Sequence, residues 1–241
     1  MGLLDLPAPI FSAADSALDS ILPPVGRLIV WAALAALLSM ELYRLLSPQA
    51  KIVQLRRDLQ AAQKQLAGFD GEFDEAWPLI GRTLKLAVER VFAVLPSAVA
   101  ASLPILTLIV WLDDTYSHTL PPPGQPAQIE VQQPFTGKWR DGSPDGGRPH
   151  AVVMAEDGKV VVDKPIEAAI PVLHKRQWWN VLIGNPAGYL EGDAPIDRIA
   201  IDLPTAEVLA AGPAWLRGWQ ATFFVGLLIF ALAVKWIRQI E

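Results

Sequence analysis

Residues 91–112 read VFAVLPSAVAASLPILTLIVWL, 22 consecutive positions without a charged side chain. At 1.5 Å per residue a helix of that length covers about 33 Å, enough to cross a hydrocarbon core of about 30 Å. Two more stretches share this texture. Residues 28–46 stay apolar until Glu41 and Arg44 near the end, and residues 219–237 carry one charge, Lys235. Helices of a soluble bundle rarely stay apolar on every face for so long, which favours membrane spans over buried helices. The fold class read from them is a membrane protein with three transmembrane α-helices.

Composition supports this and excludes much else. Hydrophobic residues make up 52% of the chain, high for a soluble domain, and 21 prolines argue against one uniform helical bundle. The net charge of −5 and the lack of a basic patch with interleaved aromatics exclude a nucleic-acid partner. With no cysteine there are no disulfides, thiolate metal sites or cysteine nucleophiles. Residues 1–25 contain no Lys or Arg, so the basic region that opens a cleaved signal peptide is missing.

Basic residues set the expected sidedness. Lys51, Arg56, Arg57, Lys64, Arg82 and Lys85 lie between the first two spans, and Lys235 and Arg238 close the third. The positive-inside bias then puts the N-terminus outside, the C-terminus in the cytoplasm and residues 113–214 outside. The resulting division is an outer amphipathic tail (1–26), span one (27–47), a cytoplasmic helical hairpin (48–90), span two (91–112), an extracytoplasmic β-rich domain (113–214) and span three with a short tail (215–238). N-out topology and the lack of a glycosylation sequon suggest a bacterial inner membrane.

In the tail, Phe11, Ala14, Leu18 and Ile21 fall at helical spacing, with Ser12 and Asp15 placed like a capping box. The expectation is a short amphipathic helix on the outer leaflet or against the outer domain. After Pro48, residues Ile52, Leu55, Leu59, Ala62, Leu66, Phe69 and Phe73 follow the 3–4 alternation of a coiled coil, and Gly68 and Gly71 are expected to interrupt the helix near its end. A second helix is expected from about Asp74, with Pro78 in its first turn and an apolar stripe of Ile80, Leu84, Ala87 and Val91 that faces the first helix, or else one of the two stripes faces the membrane surface.

The outer domain begins with Pro121, Pro122, Pro123 and Pro126, a stiff extended exit. Strands are expected at 129–133, 151–155, 159–163, 181–183 and 196–203, with a loop over 139–149. Asp157-Gly158 between two valine-rich runs signals a hairpin. Trp139, Trp178, Trp179 and Tyr189 are the expected core aromatics. Trp215 and Trp219, one helical turn apart, read with Trp111 and Trp236 as membrane-interface anchors.

Chemistry is sparse. Nucleophile-elbow, phosphate-loop, dinucleotide and His-Glu-x-x-His motifs are absent. His118, His150 and His174 lack ligand spacing, and Asp113 and Asp114 read as ordinary acids at the end of a span. The expectation is a non-enzyme without metal or cofactor. More telling are small residues at helix-packing spacing, Ala32, Ala36 and Ser39 in span one and Ser97, Ala98, Ala101 and Ser102 in span two. Pro96 and Pro104 are expected to bend span two. Glu41 and Arg44, at i and i+3, either pair with each other or line a polar notch with Ser39 and Tyr43.

An outside N-terminus, a first span, a heptad-bearing cytoplasmic hairpin and two more spans resembles the YidC/Oxa insertase superfamily, in its three-span, coiled-coil-hairpin branch. Residues 25–112, through the heptads of Leu55, Leu59 and Leu66, and residues 219–237 carry the resemblance, which is one of topology and texture. It implies a polar groove open to the cytoplasm and a hairpin that receives clients. Groove candidates are Ser39, Glu41, Tyr43, Arg44, Ser97, Ser102 and Thr107; the hairpin contacts are Leu55, Leu59 and Leu66. The chain departs from the family by inserting roughly a hundred residues between spans two and three and by lacking a mid-span charge. The expected function is insertion or assembly of membrane proteins, with the bilayer and client proteins as partners. The alternative is a non-catalytic anchoring subunit of a stable membrane complex, docked through the outer domain.

Overall fold

The computed structural model describes residues 2–142 and 147–239. Its helices are α1 (Ala8–Asp19), α2 (Pro24–Leu46), α3 (Gln49–Ala67), α4 (Phe73–Tyr116), α5 (Ala214–Arg217) and α6 (Trp219–Arg238). Three of them, α2, α4 from Glu75 onward, and α6, are long and apolar enough to cross a membrane. The chain divides into two compact units, Met1–Ile29 with Leu106–Phe224, and Val30–Ile105 with Val225–Glu241.

Helix ends follow local chemistry. Pro24 opens α2, where its missing N–H costs nothing, and Pro48 precedes α3. Gly68 caps α3, its N–H donating to Lys64 O at 3.1 Å. The expected hairpin helix and span two form one continuous 44-residue helix, with Pro78, Pro96 and Pro104 inside it.

In the second unit the inward face of α4 is the row Ala76, Ile80, Thr83, Ala87, Arg90, Val94, Ser97 and Ala101, each buried or half-buried. The steps alternate four and three. This corrects the expected stripe, because Leu84 is 64% and Val91 60% exposed. Bulky Phe92 and Val99 are exposed as well, so the inward row carries mostly small and polar residues. α2 shows the same inversion, burying Ala32, Ala35, Ala36 and Ser39 while exposing Leu34, Leu37 and Leu38. α6 approaches α2 closely at Gly226, where an added Cβ would lie 3.0 Å from Ala32 Cβ. On α3, Ile52, Leu55, Leu59 and Ala62 form a buried stripe, with Leu66 half-buried.

The first unit holds a small β region of two antiparallel three-stranded sheets. One has the order β1 (Ile129–Val131), β6 (Arg198–Ile201), β5 (Val172–His174). The other runs β2 (Thr136–Arg140), β3 (His150–Met154), β4 (Val160–Pro165). The β3–β4 hairpin turns at the expected Asp157-Gly158: Gly158 has φ +80°, and Asp157 Oδ1 accepts from Lys159 N at 3.0 Å. Gly137 in β2 passes so close to β1 that a Cβ there would meet Ile129 Cγ2 at 2.4 Å. Chain entry and exit are tied together by Thr119 N donating to Pro204 O at 2.9 Å and Ala206 N donating to Ser117 O at 2.9 Å.

Three expectations for this region change. Trp139 and Arg140 belong to strand β2 and not to a loop; Asp145 and Gly146 of that loop lie outside the described residues. Residues 178–181 form a 3-10 turn where a strand at 181–183 was expected. The core is mostly aliphatic, built from Val153, Ile166, Leu173, Ile196, Ile199 and Ile201, and of the expected tryptophans only Trp139 belongs to it. Branched side chains alternating inward along short strands fill the space between the sheets. Trp178 is left 83% exposed and Trp179 40%.

Candidate functional site

The second unit gathers most of the groove candidates, and its local sequence explains how. Glu41 and Arg44 stand one turn apart on α2, and Arg44 Nε donates to Glu41 Oε2 at 2.9 Å. Arg238, in the last turn of α6, lies on the other side, its Nε 2.7 Å from Glu41 Oε1 in an ion pair that lacks hydrogen-bond geometry. One carboxylate is thus held between two guanidiniums. The i, i+3 pairing was legible in sequence; the contribution of Arg238 was not, because it crosses from α6. Two turns of charge at the end of otherwise apolar helices fit a boundary between apolar and aqueous surroundings.

Ser39 is 6% exposed and its Oγ has no hydrogen-bond partner among the described residues. Ser97 Oγ donates to Val94 O at 2.8 Å and Ser102 Oγ to Val99 O at 2.7 Å. Both hydroxyls are therefore turned onto their own helix backbone, which lowers the polarity they present. Tyr43 is half-buried, and Thr107 belongs to the first unit.

What sequence reading missed is a recess between α3 and α4. It has a volume of ≈ 480 Å³ and is lined by Leu59, Ala87, Arg90, Val91, Val94, Leu95 and Ala98. Leu59 comes from the heptad stripe and the rest from α4. The recess is open and apolar, with Arg90 as its charged member. Small Ala87 and Ala98 leave the space, and Leu95 and Val91 wall it. The signal was available in the spacing, since Arg90 continues the Thr83, Ala87, Val94, Ser97 row. An open apolar trough beside one cation can hold an apolar peptide segment with an acidic flank; it contains no nucleophile and base for covalent chemistry.

The first unit carries a second polar constellation that is architectural. Asp15, 6% exposed, accepts from Arg27 Nη1 at 2.7 Å and from the Tyr116 hydroxyl at 2.7 Å. Arg27 also reaches Asp19 Oδ1 at 3.1 Å, and its guanidinium lies over the Tyr116 ring at 5.4 Å. This corrects the capping-box reading of Ser12 and Asp15: α1 starts earlier, after Pro7, and both residues sit mid-helix. The Ser12 hydroxyl accepts from Trp111 Nε1 at 2.9 Å.

Of the expected interface tryptophans, Trp215 is 75% and Trp236 84% exposed, while Trp111 is 4% and Trp219 2% exposed. Trp219 Nε1 donates to Ser117 Oγ at 2.9 Å. Trp215 and Trp219 do not share a helix face, because Gly218 is extended (ψ 165°) and separates α5 from α6.

No protein-family model, curated protein or solved structure matches this chain. Among the described residues no group of three or more His, Asp or Glu side chains is arranged to hold a metal ion.

Proposed function

We propose that the protein is a non-enzymatic membrane-protein insertase or assembly factor of the YidC/Oxa kind. In this reading α2, α4 and α6 cross a bacterial inner membrane, with the N-terminus outside and the α3–α4 hairpin in the cytoplasm. The inverted helices support membrane insertion, since large side chains on the outward faces suit lipid and small ones suit helix packing. The observation that carries the functional reading is the open recess of ≈ 480 Å³ lined by Leu59, Val94, Leu95 and Arg90. It joins the hairpin to the start of a span, where an arriving client segment must pass from water to lipid. The apolar walls would hold the segment, and Arg90 would favour acidic flanking residues over basic ones. The Glu41, Arg44 and Arg238 cluster would mark the cytoplasmic mouth.

Photo-crosslinking from Leu59 and Ser39 in living cells tests this. Capture of many newly made membrane proteins, lost when translation is blocked, is the expected result. Capture of one stoichiometric partner that persists through the block would make the protein an accessory subunit instead.

A further inference from the structure

The 3-10 turn at 178–181 and the residues after it expose a run of apolar side chains: Trp178 at 83%, Val181 at 57% and Leu182 at 51%. The amino-terminal segment exposes another, with Leu3 at 57%, Leu6 at 65% and Ile10 at 71%. These two surfaces are stitched together. Leu4 N donates to Leu182 O at 2.9 Å, and Asp5 Oδ2 accepts from both Gly2 N at 2.7 Å and Gly184 N at 2.8 Å. The contact is tight enough that a Cβ on Gly2 would lie 2.5 Å from the Leu182 carbonyl.

Both segments hide their polar groups and show their apolar ones. Asp5 is 8% exposed and Asn180 is 1% exposed, with Asn180 Oδ1 accepting from Gln177 N at 2.7 Å and Nδ2 donating to Ile183 O at 3.0 Å. On α1 the inward side is Phe11, Asp15 and Leu18, while Ile10, Ala13, Ala14 and Ala17 face out. The outward serines are satisfied within the helix, Ser16 Oγ on Ser12 O at 2.8 Å and Ser20 Oγ on Ala17 O at 2.7 Å. Protein partners require about one hydrogen bond per 100–200 Å² of interface, and here the outward serines donate to their own helix while Asp19 and Arg176 are the exposed charges, a sparse polar set beside a broad apolar one. Lipid makes no such demand.

Position points the same way. α1 is pinned to the last turns of α4 through Ser12–Trp111 and Asp15–Tyr116, so it lies at the level where that helix leaves its apolar run. Exposed tryptophan beside aliphatic residues, with exposed Arg176 next to it, is the side-chain mixture that settles at the headgroup boundary. We propose that the amino-terminal segment, α1 and the 178–183 turn form one lipid-docking foot, lying in the interfacial layer of the bilayer that α4 crosses. The foot rests on the reading of the long helices as membrane spans. It holds the β region against the bilayer beside the end of α4 to which α1 is bonded.

Because the chain has no cysteine, one introduced cysteine is a unique labelling position. The full chain is reconstituted in phosphatidylcholine vesicles with a minor fraction of phosphatidylglycerol, with a nitroxide at Ile10→Cys or Val181→Cys. Leu228→Cys on α6 and Asp157→Cys at the hairpin tip are the references, and Leu6→Cys replaces Ile10→Cys if that variant does not reconstitute. Collisions with dissolved oxygen should exceed collisions with an aqueous nickel chelate at Ile10 and Val181, as at Leu228 but at shallower depth, and the ratio should reverse at Asp157. If Leu228 is lipid-exposed while Ile10 or Val181 collides mainly with nickel, the foot is wrong and the spans stand. If Leu228 itself is aqueous, the membrane reading fails and takes the foot with it. Shielding of Ile10 or Val181 from both reagents would show a protein cover and overturn lipid docking.

Discussion

Asp15 and Tyr116, 101 positions apart, share a hydrogen bond of 2.7 Å, and through it α1 is fixed to the end of α4. The same carboxylate neutralises Arg27 at the start of α2. One residue therefore ties three helices at a point that excludes most water.

Asp15→Ala should be strongly destabilising. It leaves Arg27, whose side chain is 14% exposed, without its main counter-charge. Removing one member of a buried ion pair costs roughly 3–5 kcal/mol. Asp19→Ala, at a carboxylate 64% exposed, should cost less than about 1 kcal/mol. Thermal unfolding of the purified protein in detergent separates the two; equal effects would show that Asp15 is not the keystone.

Glu41→Leu and Arg44→Leu should change function more than stability. The cluster is partly solvated, with Arg44 44%, Arg238 51% and Glu41 21% exposed, so the loss should be about 1 kcal/mol. In the proposed role the charge marks the mouth of the client path. A membrane-insertion reporter should then fall severalfold while the melting temperature barely moves. An unchanged reporter would remove these residues from the path.

Asp163 gives the β region an acid limb. Hydrogen bonds from Arg140 at 2.7 Å and from His150 hold its carboxyl below the ordinary aspartate range. A depressed folded pKa contributes stability that is present above the unfolded value of about 3.9 and disappears as pH falls through the lower folded value. Unfolding followed from pH 6 down to about 3 should show the wild type losing this increment on acidification. In Asp163→Asn the increment is absent throughout, so the two curves should converge at low pH. Curves that stay parallel would mean the pairing contributes nothing.

Two glycines should respond in opposite directions to alanine. Gly137→Ala drives a Cβ to within 2.4 Å of Ile129 Cγ2 and 2.8 Å of the Ile129 carbonyl oxygen, and overpacking of this kind costs roughly 1–3 kcal/mol. Gly81 in α4 has nothing within 4 Å of its Cβ position, so Gly81→Ala should stabilise by about 0.5–1 kcal/mol through helix propensity. Denaturation midpoints moving the same way would contradict the strand contact.

Gly226→Leu should separate α6 from α2. The Cβ alone would lie 3.0 Å from Ala32 Cβ, and a full side chain has no room there. Leu228→Ala, at a position 61% exposed, should leave the helix pair intact. Cysteine crosslinking between introduced positions on the two helices, read as loss of the crosslink in the glycine variant only, checks this.

By itself the sequence determined the long helices, some of their ends and one hairpin turn. Length without charge specified the three long helices, Pro24, Pro48 and Gly68 set the ends of α2 and α3, and Asp157-Gly158 placed the β3–β4 turn. These signals are local, because backbone geometry at a proline or glycine depends on few neighbours. Tertiary structure decided what faces what. On α4 nearly every residue from 91 to 112 is apolar, so periodicity there says nothing about which side turns inward. Packing turned Val94, Ser97 and Ala101 inward there, continuing the row of Thr83, Ala87 and Arg90, and left Val91 outside. The β core was legible only in part for a related reason: volume favoured tryptophan, but the strands buried isoleucine and leucine, kept Trp139 and left Trp178 exposed. The Asp15–Arg27–Tyr116 clasp joins residues from three separate helices, and no spacing within one sequence encodes such a meeting; only packing does.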